Sequence, residues 1–207
     1  VLSVFGYAVT AFGFAGLVLY IAPLARLAGV APALSARAAS VATGINTKLA
    51  AGLKWAALLI VLTEALVVVL RYVFRASFIW MQEAVVYLHG GLFLLAAGYA
   101  LHVGAHVRVD VFRRMMSPRA SALVDLLGVY LMLLPVCVAI VWTSGPYVAD
   151  SWAVLEGSSE GSGIAALFLL KSCIPAFAVF LALQGLAVAD RAAATLRSGA
   201  AQTDEAR

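Results

Sequence analysis

The sequence predicts an all-α integral membrane protein: a bundle of about five transmembrane helices with a short amphipathic segment on its cytoplasmic side. Three observations lead there. Apolar side chains make up 64% of the 207 residues, and mean hydropathy is +1.03. Only 12% of residues are charged, and they gather between the apolar runs. The runs are about twenty residues long, the length of helix that crosses about 30 Å of hydrocarbon. A soluble fold has too little polar surface to cover so much apolar side chain. Backbone in lipid must satisfy its own hydrogen bonds, so runs of this length are helices and not barrel strands.

The elements follow in order. Residues 4–25 form the first run. It starts without methionine and has no basic segment in front, unlike a cleaved signal peptide, so a retained helix is expected. RLAGVAPALSARAASVATGINTK (26–48) scatters Arg26, Arg37 and Lys48 among small residues and is expected as a loop carrying a short surface helix. The second helix is expected over 53–72 and the third over 83–102. The fourth is expected over 123–142, extending toward Trp152, with Ser117-Pro118 as its start: serine caps free backbone N–H groups, and proline suits the first helical position. SWAVLEGSSEGSG (151–163) reads as a turn-rich loop. IAALFLL (164–170) is expected to dip into the interface, because a span begun there would bury Lys171. The fifth helix is expected over 171–189. SGAAQTDEAR (198–207) is expected as a disordered tail. The domain division is then 1–50 for an extra helix and linker, 51–190 for the membrane domain, and 191–207 for a cytoplasmic tail.

Charge sets the expected topology. The net charge of +4 and pI near 9.3 would suit nucleic acid, but the cations lie between helices, where they act as topology signals. Of the fourteen Lys and Arg, eleven fall on one side, including Arg108, Arg113, Arg114 and Arg191; Arg71, Arg75 and Lys171 fall on the other. Positive residues mark the cytoplasm, so the segment around 102–120 and the C-terminus are expected there. Five spans then place the N-terminus outside, and the loops around 71–82 and 149–163 face the periplasm or exterior.

Candidate chemistry is sparse. Cys137 and Cys173 lie in apolar runs with no spacing motif and read as packing residues. Haem would need histidines on one helix face, yet His89 and His102 are separated by about 220° of helical turn. Three histidines also cannot supply two bis-histidine haems. His102, His106 and Asp110 fall at i, i+4 and i+8, a spacing zinc accepts on a continuous helix. Gly104 and the alternation His-Val-Arg-Val-Asp-Val argue that the helix breaks first, which leaves His106, Arg108 and Asp110 on one side of an extended segment. Phe112, Met115 and Met116 then share a face as an amphipathic anchor. Glu83, at a helix start, is expected to pair with Arg71 or Arg75 across the turn, with Trp80 at the bilayer interface. Glu64 lies midway along the second helix. An acid there is a functional candidate by default, for proton transfer, for a hydrogen bond at a helix interface, or for a pair with Arg71. Gln184 reads as interhelical glue, and Pro135 and Pro175 as bends. No nucleophile–base set, phosphate loop or carboxylate pair appears, so an enzyme reading has little to stand on.

The ordered set RYVFRASFIWMQE (71–83), YLHGGLFLLAAGYAL (87–101), HVRVDVF (106–112) and SPRASALVDLLG (117–128) resembles the small membrane subunit of tripartite ATP-independent periplasmic (TRAP) transporters, the DctQ-like small permease. SWAVLEGSSEGSG and LLKSCIPAFAVFLALQG (169–185) continue the likeness. The resemblance implies a non-enzymatic inner-membrane scaffold of four helices, so residues 4–25 are an addition. It also implies a large elevator-type subunit that carries the substrate and sodium sites, and a periplasmic binding protein that delivers an organic acid. No cofactor is expected in this chain itself. The polar residues expected to lock helices or meet other subunits are Glu64, Arg71, Arg75, Trp80, Glu83, His106, Arg108, Asp110 and Gln184. The alternative from the residues alone is a haem- or quinone-binding membrane anchor of an oxidoreductase; a weaker one is a proton carrier using Glu64.

Overall fold

The computed structural model describes residues 20–30, 32–106 and 115–205, with side chains as far as Ser198. Among them every element is helical. The helices are α1 (Ile21–Leu27), α2 (Pro32–Tyr72), α3 (Ile79–His102), α4 (Pro118–Ala153) and α5 (Leu167–Glu205). Four of these, α2 to α5, are long and apolar enough to cross a membrane. The expected first span, 4–25, lies outside the described residues except for its last six, of which all but Tyr20 belong to α1.

α5 is the centre of the bundle, and each other helix packs against it. Its inward face is built from small side chains. Ala178, Ala189 and Ala193 are wholly buried, and Leu186 and Ala187 nearly so. Small residues let neighbouring backbones come close, which is how helices gain packing in a solvent as apolar as themselves. Tyr20, Ala122, Leu126 and Val129 close over this face from α4 and the start of α1. Elsewhere the surface is apolar and uncovered: Trp55, Val61, Phe93, Met132 and Trp142 are all more than half exposed. That is the exterior expected of a lipid-facing bundle.

α2 departs most from expectation. The segment expected as a loop is helix, and α2 runs unbroken for 41 residues, about 61 Å. The boundary drawn at residue 50 falls inside it. The reason is a buried stripe, Ser35, Ala39, Ala42 and Asn46, spaced at four, three and four residues. That is a helical period written in small residues, and a search for large apolar ones passes over it. Alanine is also the best helix former.

The other ends shift for local reasons. α3 starts at Ile79, a turn before Glu83. It ends at His102, and Gly104 takes φ +72, so the expected break is present. At α4 the Ser117 hydroxyl accepts from Ala120 N–H at 3.2 Å, with Pro118 as the first helical residue. A π-helical turn at Val129–Leu133 lies just before Pro135, where the widened turn makes room for a ring that lacks an N–H. α5 starts at Leu167, not Lys171, so 167–170 do not dip as a separate segment. It continues to Glu205, through most of the expected disordered tail, on a run rich in alanine.

Candidate functional site

The polar side chains of the bundle collect in three places. One is buried between α2, α3 and α5. Asn46 on α2 and Gln184 on α5 are both sealed from solvent. The Asn46 amide nitrogen donates to the carbonyl of Ala42 and to that of Phe180, each at 3.2 Å, and reaches the Gln184 oxygen at 3.4 Å. The Gln184 nitrogen lies 3.5 Å from His102 Nδ1 on α3. Three helices thus share one polar knot. Gly98 makes it possible: a Cβ there would sit 2.1 Å from Asn46 Oδ1 and 2.6 Å from the Phe180 carbonyl. Asn46 Oδ1 has no hydrogen-bond partner among the described residues. It rests against the face of Gly98 from which a side chain would project, where a Cα–H is the available weak donor.

The second cluster ties the 154–166 loop to the helix ends beside it. The Glu83 carboxylate accepts from the Ser158 hydroxyl and, at 2.6 Å, from the Ile164 N–H. This corrects the expected pairing with Arg71 or Arg75. Glu83 is one turn inside α3, and its side chain turns toward the loop. Arg71 closes α2, and Arg75 sits in the interhelical turn at φ 55, so both are exposed. Trp80 is half exposed beside them. Lys171, four residues into α5, forms an ion pair with Glu156, and its Nζ lies 4.1 Å from the centre of the Tyr147 ring. The buried cation that argued against an early helix start is therefore paired on two sides. Hydrogen bonding from the Lys171 ammonium holds the Glu156 carboxyl below its ordinary range. Trp152 Nε1 donates to Ser172 at 2.8 Å and completes the clasp.

A third cluster lies at the opposite end. Arg26 in the last turn of α1 meets Asp190 on α5 at 2.5 Å, and the Ser35 hydroxyl donates to the other oxygen of the same carboxylate. Tyr130 donates to the Tyr20 carbonyl at 2.5 Å, and the Tyr20 hydroxyl donates to the Ala182 carbonyl.

The remaining candidates stand apart. Glu64 is exposed on α2 and has no ion pair or hydrogen bond among the described residues. His106 Nε2 lies 3.2 Å from the Ala97 carbonyl. Arg108 and Asp110, with the extended segment expected around them, lie outside the described residues. No three His, Cys, Asp or Glu side chains converge on a metal-sized site among the described residues. Cys137 is buried and Cys173 half-buried, both as free thiols. Asn46, Ser35, Asp190 and Ser158 were not among the expected site residues. Ser35 and Asn46 carried the four-three-four spacing as a signal. Ser158 sits in a loop whose fold depends on a partner 75 residues away, and nothing local marks it.

The family model described as "Tripartite ATP-independent periplasmic transporters, DctQ component" matches residues 58–195. The match runs from the later part of α2 to the later turns of α5. It takes in the knot's Gln184 and His102 and the whole Glu83 clasp, and it leaves out α1 and nearly the first two thirds of α2, Asn46 included. Neither the curated proteins nor the solved structures include one that matches the chain.

Proposed function

The chain belongs to the DctQ family, the small membrane component of tripartite ATP-independent periplasmic transporters, and from that premise we propose that it serves as the static scaffold of such a transporter. It is a multi-pass inner-membrane protein and a transport component. The proposed partner is a large membrane subunit that moves as an elevator and carries the coupling ion, expected to be sodium. A periplasmic binding protein would hand over an organic-acid-like solute.

The observation that carries this reading is where the polar groups point. Asn46, Gln184 and His102 bond to one another, and Glu83, Glu156 and Lys171 bond to a loop of their own chain. Buried polar groups committed to each other rigidify a bundle; a transport site would leave them open toward a solute. Arg71, Arg75, Trp80 and the clasped loop form one rim, proposed as periplasmic and as the side the binding protein meets. His106, Arg108 and Asp110 are assigned to the opposite, cytoplasmic rim, with the C-terminus. Gln184 serves inside the bundle. The scaffold proper takes in the whole of α2, whose Asn46 and Ser35 bond to α5, and runs through residue 190, with 191–207 as its cytoplasmic end.

Co-expression with a large membrane subunit tests the proposal. The two are expected to purify together, and solute uptake into proteoliposomes is expected to require both, plus the binding protein. Uptake by this chain alone would overturn the scaffold reading.

A further inference from the structure

Asn46 and Glu64 are eighteen residues apart on one helix, five full turns, so they share a side of α2. Their surroundings are opposite. At Asn46 that side is covered by Phe180 and Gln184 of α5. α5 runs antiparallel to α2, since Ser35 meets Asp190 while Asn46 meets Gln184. It starts at Leu167, seventeen residues before Gln184, so its cover ends at about the level of Glu64. From there the side is bare: Val61 is 64% exposed and Val68 46%, and Ala65 is exposed between them.

Glu64 is the one acid in this run of apolar residues, about 10 Å along the helix from Arg71. A carboxylate at that depth costs free energy unless something donates to it. Its own chain supplies nothing among the described residues. Lipid tails have no donor. A second copy packed on the same side by two-fold symmetry would bring one carboxylate toward another, which is repulsive. What fits is a helix that brings a positive charge.

We propose that the side of α2 carrying Glu64 is the docking surface for a transmembrane helix of the large subunit, and that this helix presents a basic side chain to the Glu64 carboxylate. The proposal rests on the transporter reading and names the contact through which the scaffold holds its partner. Val61, Ala65 and Val68 form the apolar bed, with alanine leaving room for close approach. The match between an uncovered acid and an incoming base would also set the register of the two helices.

The test uses the co-expressed complex in detergent. Wild type, Glu64→Asp, Glu64→Gln and Glu64→Leu are compared by the ratio of large subunit recovered with this chain. Glutamine and leucine are expected to lower the ratio at least about tenfold, because either leaves a basic group without its counter-charge; aspartate is expected to retain most of it. Ala65→Cys, with Cys137 and Cys173 replaced by alanine, is expected to cross-link to single cysteines on one helix of the large subunit. The isolated chain should melt alike with glutamate or leucine at position 64, because no intrachain bond is lost. Recovery of Glu64→Leu at the wild-type ratio would overturn the contact while leaving the transporter reading intact. Cross-linking of Ala65→Cys to a second copy, or a lower melting temperature of the isolated Glu64→Leu chain, would overturn it as well. Failure of the wild-type chain to recover any large subunit would remove the transporter reading and this contact together.

Discussion

At the scale of single residues, two positions define what holds the bundle. Gly98 has no side chain because Asn46 and the Phe180 carbonyl occupy its place. Gly98→Ala forces α3 away from α2 and α5, and overpacking of this kind costs about 1–3 kcal/mol. The expected outcome is a lower melting temperature in detergent, with Gly91→Ala as a control, since nothing lies within 4 Å of the Cβ position there. Glu156 gives a pH dependence. Its carboxyl is held below the ordinary value of 4.5 by the Lys171 ammonium. A lowered folded value means that the stabilisation is fully present above about pH 4.5 and is lost as pH falls through the folded pKa. Melting of the wild type is therefore expected to drop on acidification below that point, and Glu156→Gln to flatten that part of the profile. Gln184, His102, Glu83 and Lys171 stood out in the sequence, as polar groups in or beside apolar runs. Ser158 did not, and Asn46 only through the spacing of the small residues around it, because a bond between positions 75 or 138 residues apart leaves no local trace.

At the scale of elements, α2 carries the lesson. Hydropathy marks its second half, 53–72, and passes over its first half, whose packing face is serine, alanine and asparagine. The four apolar spans were legible because lipid selects for long runs of one kind of side chain. The extension of α2 was not, since small residues read equally as loop or as close-packed helix until a neighbour is known. The same held at the far end, where α5 continues through an alanine-rich stretch that composition alone assigns to a tail. Proline separates the two readings of α2. Ala51 is exposed within the helix, so Ala51→Pro removes no side-chain packing and acts on the backbone alone. In a linker it is harmless; inside a helix it costs about 3 kcal/mol. Reduced helical circular dichroism together with a lower melting temperature is the expected result.

At the scale of the whole molecule, the two ends of the bundle differ in charge and in construction. The end with the Glu83 clasp carries Arg71, Arg75 and Lys171, and the end with Arg26 and Asp190 carries, among the described residues, Arg37, Arg119, Arg191 and Arg197 as well. Reporter fusions at Ser158 and after Ser198 are expected to report opposite sides, the first periplasmic and the second cytoplasmic, because α5 crosses once between them; the same side for both would require an even number of crossings and would overturn this. The Arg26–Ser35–Asp190 contact has a mechanical consequence. α2 is about 61 Å long and α5 nearly as long, about twice the thickness of the hydrocarbon they cross. They are antiparallel and joined twice, once at the polar knot and again at Ser35, eleven residues earlier on α2. Two rods pinned at two points cannot scissor. A thinner bilayer, or a push from a moving neighbour, would rock the pair as one strut and leave the angle between the rods unchanged. A frame of that kind can bear load from a sliding partner without storing it.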